Sequence, residues 1–309
     1  MKRMLMFAAC LLFCGGLSAE NKKNIVDIDK ELKQPKSTAT TTMLLETLAE
    51  TTPQTAEEVT VLGQLLTRYP TQAQRAFVRI SDPKLAKGVI HEFDMQAGKL
   101  KAIRAKGEAN LTDSDRQNYI DSYMNSVAVI GALGNMKNKE AIPVLRDYLD
   151  DSDLAQAASV ALGRLGDTES LDRMLANIEK TKTIDLSGYG DKGLVRIVEE
   201  IDKPGVKRER KTALVKQISG SRSPERKRLL KELALEHKDL MVRERASQAL
   251  LNSMLVNSEA GDAAFAAELL KKTKNEGGGY WAMAMFAGCY GAAQTKPDAA
   301  GVTLLDAAE

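Results

Sequence analysis

Asp151-Ser-Asp-Leu-Ala-Gln-Ala-Ala-Ser-Val-Ala-Leu162 decides the fold, because its spacing returns in Asp239-Leu-Met-Val-Arg-Glu-Arg-Ala-Ser-Gln-Ala-Leu250. Each copy opens on a carboxylate and continues at spacings of three and four. The first places Leu154, Ala155, Ala158, Ala161 and Leu162; the second places Val242, Arg243, Ala246, Ala249 and Leu250. At 3.6 residues per turn such positions share one helix face. Small residues there let a neighbouring helix approach closely, and leucine fills the layer between. The segments before the two copies also correspond: Ala141, Ile142, Leu145 and Leu149 precede Asp151, while Leu230 and Leu233 precede Asp239. Two helices per unit, repeated, predict an all-α chain: a right-handed α-solenoid of stacked helix pairs.

The Ala-Leu marker of the inner helix falls at Ala132-Leu133, Ala161-Leu162, Ala213-Leu214 and Ala249-Leu250, in steps of 29, 52 and 36 residues. The long step reads as containing an insertion around 181–205, rich in glycine and charge. A final, degenerate pair is expected over 262–292, interrupted by Asn275-Glu-Gly-Gly-Gly279, with residues 293–309 as a tail. The array then spans 111–292. Upstream, 42–110 reads as helical without a legible repeat. Thr55-x-x-Glu58 is a capping box, and Val59, Leu62, Leu65, Leu66 and Tyr69 form a stripe that Pro70 ends. Asp82-Pro83 is a helix start feeding Leu85, Val89, Phe93, Leu100 and Ile103, and Ser114-x-x-Gln117 starts a further helix. Residues 20–41, polar and Lys/Thr-rich, predict a flexible leader.

The array resembles HEAT-like repeats of the short bacterial type, related to those of phycobilin lyases. Glu140-Ala-Ile-Pro-Val-Leu-Arg-Asp-Tyr-Leu-Asp-Asp-Ser-Asp153 and the Asp239–Leu250 stretch carry the resemblance, which covers roughly 120–292. The arginine usual in such repeats stands as Arg243, is Lys207 in the preceding copy, and is Ala155 and Ser126 in earlier ones. The resemblance implies a fold and an extended surface that binds other molecules; it does not identify them, because fold and function separate readily.

The first residues, Met1-Lys-Arg followed by an apolar run to Phe13 and then Gly15-Gly-Leu-Ser-Ala19, read as a signal peptide of residues 1–19. This predicts an exported, periplasmic protein, the run being too short to span a bilayer. A second reading is a lipoprotein, with Phe7-Ala-Ala-Cys10 as the acceptor box and Cys10 the lipid anchor. The chain holds 44 Lys and Arg against 42 Asp and Glu; without Lys2 and Arg3 the two sets balance. Global charge therefore gives no case for a nucleic-acid partner. Beyond residue 19 Cys289 is the one cysteine, which leaves no internal disulfide and no Cys-based metal site, and it reads as a small buried residue.

Catalytic chemistry is not legible. Gly188-Tyr-Gly-Asp-Lys-Gly193 fits a dinucleotide fingerprint in letters, but that fingerprint needs a strand before it and a parallel strand after it. Its glycines read instead as turn residues in an inter-repeat loop. Asp113-Ser-Asp115 and Asp150-Asp-Ser-Asp153 lack the glycine and glutamate of a calcium loop and read as helix caps. The two histidines are His91 and His237; the latter falls at a helix end, and no catalytic residue, cofactor or metal is assigned.

The strongest local signal is charge. From Lys203 to Lys231 lie 11 basic residues against Glu209 and Glu225. The candidate partner-binding set is Lys207, Arg208, Arg210, Lys211, Arg226, Lys227, Arg228 and Lys231, with Lys227, Arg228 and Lys231 expected to project outward from one helix. An acidic protein partner fits such a patch. The competing reading pairs these cations with Glu199, Glu200 and Asp202 nearby. The expected function is a non-catalytic protein–protein interaction scaffold of the bacterial cell envelope. The alternatives are a lyase-like or chaperone protein holding a small ligand in the solenoid groove, and a lipid-anchored envelope assembly factor.

Overall fold

In a computed structural model, residues 23–179, 185–221, 223–256 and 262–273 are described. Residues 1–22 and 274–309 lie outside them, and with them the signal peptide, Cys10, Cys289, the second half of the expected final pair and the tail. The described residues form helices joined by turns, with no strand among them. The chain divides into two compact units, Met1–Ala132 and Leu133–Glu309.

The first unit holds α1 (Ile25–Lys33), α2 (Thr38–Glu50), α3 (Ala56–Arg68), α4 (Pro70–Val78), α5 (Ala86–Arg104) and most of α6 (Asp113–Asn135). The first two helices correct the expected leader over 20–41. Ile25, Ile28 and Leu32 recur at helical spacing and are buried, so α1 packs on α2 and α3 although its composition is polar. Asn24 and Ser37 cap the two helices by accepting from Asp27 N at 2.8 Å and Thr40 N at 3.1 Å. The expected capping box is present: Thr55 Oγ1 accepts from Glu58 N at 3.2 Å, and the Glu58 carboxylate accepts from Thr55 N at 3.1 Å. That carboxylate also takes the Ile25 N–H at 3.1 Å, so one buried acid serves the starts of α1 and α3. Pro70 ends α3 and opens α4 at its first position. The start of α6 differs from Ser114-x-x-Gln117: Thr112 is the cap, exchanging hydrogen bonds with Asp115. Thr112 wins because its hydroxyl and the Asp115 carboxylate satisfy each other's backbone N–H.

The second unit holds the end of α6, then α7 (Ala141–Arg146), α8 (Ala155–Leu165), α9 (Thr168–Ala176), a 3-10 turn (Leu186–Tyr189), α10 (Gly190–Asp202), α11 (Arg208–Gly220), α12 (Glu225–Glu236), α13 (Leu240–Val256) and α14 (Asp262–Thr273). Helices α7 and α8 pack together, as do α10 with α11 and α12 with α13, and α11 packs on α13. The predicted inner-helix register holds: Leu133, Leu162, Leu214 and Leu250 are all fully buried. In the pairs α7/α8, α10/α11 and α12/α13 the marked helix is the second member, and burying one leucine side chain in such a layer stabilises by about 2 kcal/mol.

The insertion expected at 181–205 is corrected over its described part. Leu194, Ile197 and Ile201 are buried, so α10 is the first helix of a regular pair. The 3-10 turn packs against α8 on one side and α10 and α11 on the other. It occupies the place of an inner helix. The 52-residue step is therefore one extra repeat whose inner helix is reduced to a single turn.

Candidate interaction surface

The glycine motif serves that turn. A Cβ at Gly188 would lie 2.0 Å from the Val160 carbonyl oxygen, and one at Gly163 would lie 2.5 Å from the Gly188 carbonyl carbon. Here the backbone of α8 and the backbone of the turn touch, and no side chain fits between. Gly190, at φ +55°, supplies the turn that the sequence assigned to these glycines, while Gly188 and Gly193 serve close approach. Beside them Tyr189 Oη donates to the Asp167 carbonyl at 2.9 Å. Arg146 Nε donates to Asp167 Oδ2 at 2.8 Å, and Ser170 Oγ donates to the same carboxylate. Burial pushes the Asp167 carboxyl up, but these hydrogen bonds outweigh it and hold it below the usual carboxylate range.

The other carboxylate clusters are caps, as expected. Asp151 Oδ1 accepts from Asp153 N at 3.0 Å and from Leu154 N at 3.1 Å. His237 closes α12: its Nδ1 accepts from Asp239 N at 3.0 Å, and its Nε2 lies 3.2 Å from Asp202 Oδ1.

The basic segment divides between structural ties and free charge. Arg210 pairs with Glu200 at 3.0 Å and donates to the Ala176 carbonyl at 3.0 Å, linking α11 to α10 and to the end of α9. Lys211 reaches Asp239 at 2.5 Å, at the start of α13, and the Asp239 carboxyl is lowered chiefly by that contact. Glu200, raised by burial, is lowered more by its bonds to Lys203 and Arg210. Arg226 donates to the Ser221 carbonyl at 3.1 Å and to Ser253 Oγ at 3.3 Å. Lys227 and Lys231 both turn to the buried Asp262 at the head of α14, at 2.8 and 3.3 Å, and Lys231 also lies 4.9 Å from the Phe265 ring centre. The outward projection of Lys227 and Lys231 is thereby corrected: a fully buried carboxylate one repeat away draws them in. Arg228 does project, held by Glu225 and Glu232 of its own helix at 2.5 and 2.9 Å. Lys207 and Arg208 are exposed at the start of α11.

Of the acids expected to neutralise the run, Glu200 does so. Glu199 pairs with Arg196 instead, and Asp202 faces His237. The partners the sequence reading missed, Asp239 and Asp262, stand 28 to 35 residues from their lysines. That separation is close to one repeat and is the signal that could have found them.

The first unit carries a groove the sequence reading did not foresee, between α5 and α6, of about 460 Å³. Two of its lining residues, Gln96 and Asn125, belong to a chain of hydrogen bonds: Gln74 Nε2 donates to Asn125 Oδ1 at 2.9 Å, Asn125 Nδ2 to Gln96 Oε1 at 3.5 Å, and Gln96 Nε2 to Glu92 Oε1 at 2.6 Å. Gln96 and Asn125 are almost wholly buried, and burial pushes the Glu92 carboxyl up. Among the described residues no cluster of three or more His, Cys, Asp or Glu could hold a metal ion, and no helix is long and apolar enough to cross a membrane.

No curated protein and no solved structure matches the chain. Residues 121–185 match the family of HEAT repeats, which takes in the second half of α6 and the helices α7 to α9. Within these residues lies the first of the two stretches that set the register, so the segment is a HEAT-like repeat segment of an all-α chain.

Proposed function

We propose that this protein is a non-catalytic interaction scaffold of the bacterial cell envelope, acting on a protein partner with acidic character. The observation that carries the reading is the HEAT repeat match at 121–185, continued by further helix pairs to Val256 and by α14. HEAT repeats commonly mediate protein–protein interaction, and stacked pairs offer one continuous surface to a partner. The envelope location rests on the signal-like residues 1–19. In-cell cross-linking followed by fractionation tests both parts. A chain that starts at Glu20, co-fractionates with the envelope and is cross-linked to a defined protein is the expected result. A chain that keeps its first residues in the cytoplasm sinks the location, and absence of any cross-linked partner sinks the scaffold. A lipid on Cys10, seen by mass spectrometry, would replace the soluble form with the anchored assembly factor.

The groove of the first unit favours one further reading, a holder of a small polar ligand. Gln96 and Asn125 are buried polar side chains on the groove's lining, hydrogen-bonded in a chain that ends on Glu92, and buried polar networks of this kind are costly unless fully satisfied. Retention of a small molecule by native mass spectrometry, lost in Asn125→Leu, would move weight to that reading.

A further inference from the structure

Two depressions lie end to end along the seam between α11 and α13, of about 600 and 210 Å³. The Thr212 hydroxyl, donating to Met241 Sδ at 3.5 Å, bridges the helices where they meet. Six charged side chains line the two: Arg208, Lys211, Asp239 and Glu244 in the first, Lys216 and Arg245 in the second. Lys211 and Asp239 neutralise each other at 2.5 Å. Arg208, Lys216 and Arg245 then face Glu244 alone, a net charge of +2. Leu240, 39% exposed, adds an apolar edge. Of these cations, Lys216 belongs to the basic run but not to the candidate partner-binding set, and Arg245 lies outside the run because it comes from the next repeat.

We infer that the α11/α13 seam is the docking groove for an extended acidic segment of the protein partner. The inference rests on the scaffold reading above and locates its contact. The cations that tie repeats together, Lys211 among them, are unavailable to a partner; Arg208, Lys216 and Arg245 are not so engaged, apart from an Arg245 hydrogen bond to Gln248 at 3.0 Å. The seam is also where two long inner helices lie side by side in the second unit, since the 3-10 turn stands between α8 and α11. From Arg208 to Ser219 the floor runs about 17 Å at helical rise, which accepts about five residues of extended chain. Arg208 and Lys216 stand about 12 Å apart along the axis, so the groove selects two acidic residues about four positions apart.

A displayed library of random dodecapeptides, screened against the full chain, tests this. The expected result is enrichment of Asp and Glu about four positions apart, with binding that weakens between 50 and 300 mM salt, a range over which exposed charge pairs are increasingly screened. In fluorescence anisotropy the variant Arg208→Glu/Lys216→Glu/Arg245→Glu, checked for unchanged circular dichroism, should bind the selected peptides at least roughly tenfold more weakly. Lys30→Glu, in the other unit, should bind as wild type. Replacing the peptide acids by Asn and Gln gives the same test with the protein untouched. Neutral or basic winners, winners that the triple variant binds equally, or no enrichment would each overturn the groove. The scaffold reading fails separately, by absence of a cross-linked partner in cells.

Discussion

The two halves of the second unit join their helices by different means. Around α8 a steric contact is added to a charged one: the backbones of Val160 and Gly188 touch, beside the Arg146–Asp167 ion pair and the Tyr189 hydrogen bond to the Asp167 carbonyl. From α10 to α14 the contacts between neighbours include charged ties: Arg210 to Glu200, Lys211 to Asp239, and Lys227 with Lys231 to Asp262. Both build on the same leucine layer, so the difference lies in what surrounds it. A close backbone approach tolerates no added atom. An ionic tie tolerates shape change but depends on protonation.

The largest effect should come from the steric half. Gly188→Ala places a methyl against the Val160 carbonyl and is expected to cost roughly 3 kcal/mol in urea denaturation; a loss near zero would show that the turn and α8 separate freely. Next, Asp262→Ala removes the shared partner of Lys227 and Lys231, and should cost about 2 kcal/mol. Adding Lys227→Met and Lys231→Met should recover part of it, since the charges left behind then disappear. A third test uses pH. Asp239, Glu200 and Asp167 lie below their ordinary values when folded. Their contribution is complete above the unfolded carboxylate range near pH 4 and is lost as pH falls through the lower folded values. Glu92 has the opposite sign: its carboxyl is raised, so ionising it in the fold costs stability, and that cost vanishes as pH falls toward the ordinary value. Amide protection factors, which remove the intrinsic pH dependence of exchange, should thus rise beside Glu92 on acidification before they fall from α9 to α13, and Glu92→Gln should abolish the first change. Arg228→Ala should be the smallest, with no measurable shift in midpoint, because Arg228 is exposed and bound to its own helix.

The register was legible because Leu133, Leu162, Leu214 and Leu250 keep helical spacing around small neighbours, and burial enforces that pattern. The cap at Thr55 and Glu58 was legible for the same local reason. Ile25, Ile28 and Leu32 follow the rule as well, but three buried apolar positions in a nine-residue helix were outweighed by a polar composition. The reduced inner helix was hidden because a 3-10 turn has no 3.6-residue period, so its glycines looked like an insertion. Most of the candidate site was illegible for another reason. Charge density shows where cations are, but which stay available depends on acids contributed by the following repeat, such as Asp239 and Asp262.

The crossing of Val160 and Gly188 also bears on how the protein answers force. A side-chain contact under tension can yield in steps, as rotamers change and water enters. Two backbones held against each other, with no side chain between, have no such intermediate settings. Pulled from its ends, the second unit should give way gradually along the charged seams from α10 onward, while the crossing at α8 holds and then parts in a single event.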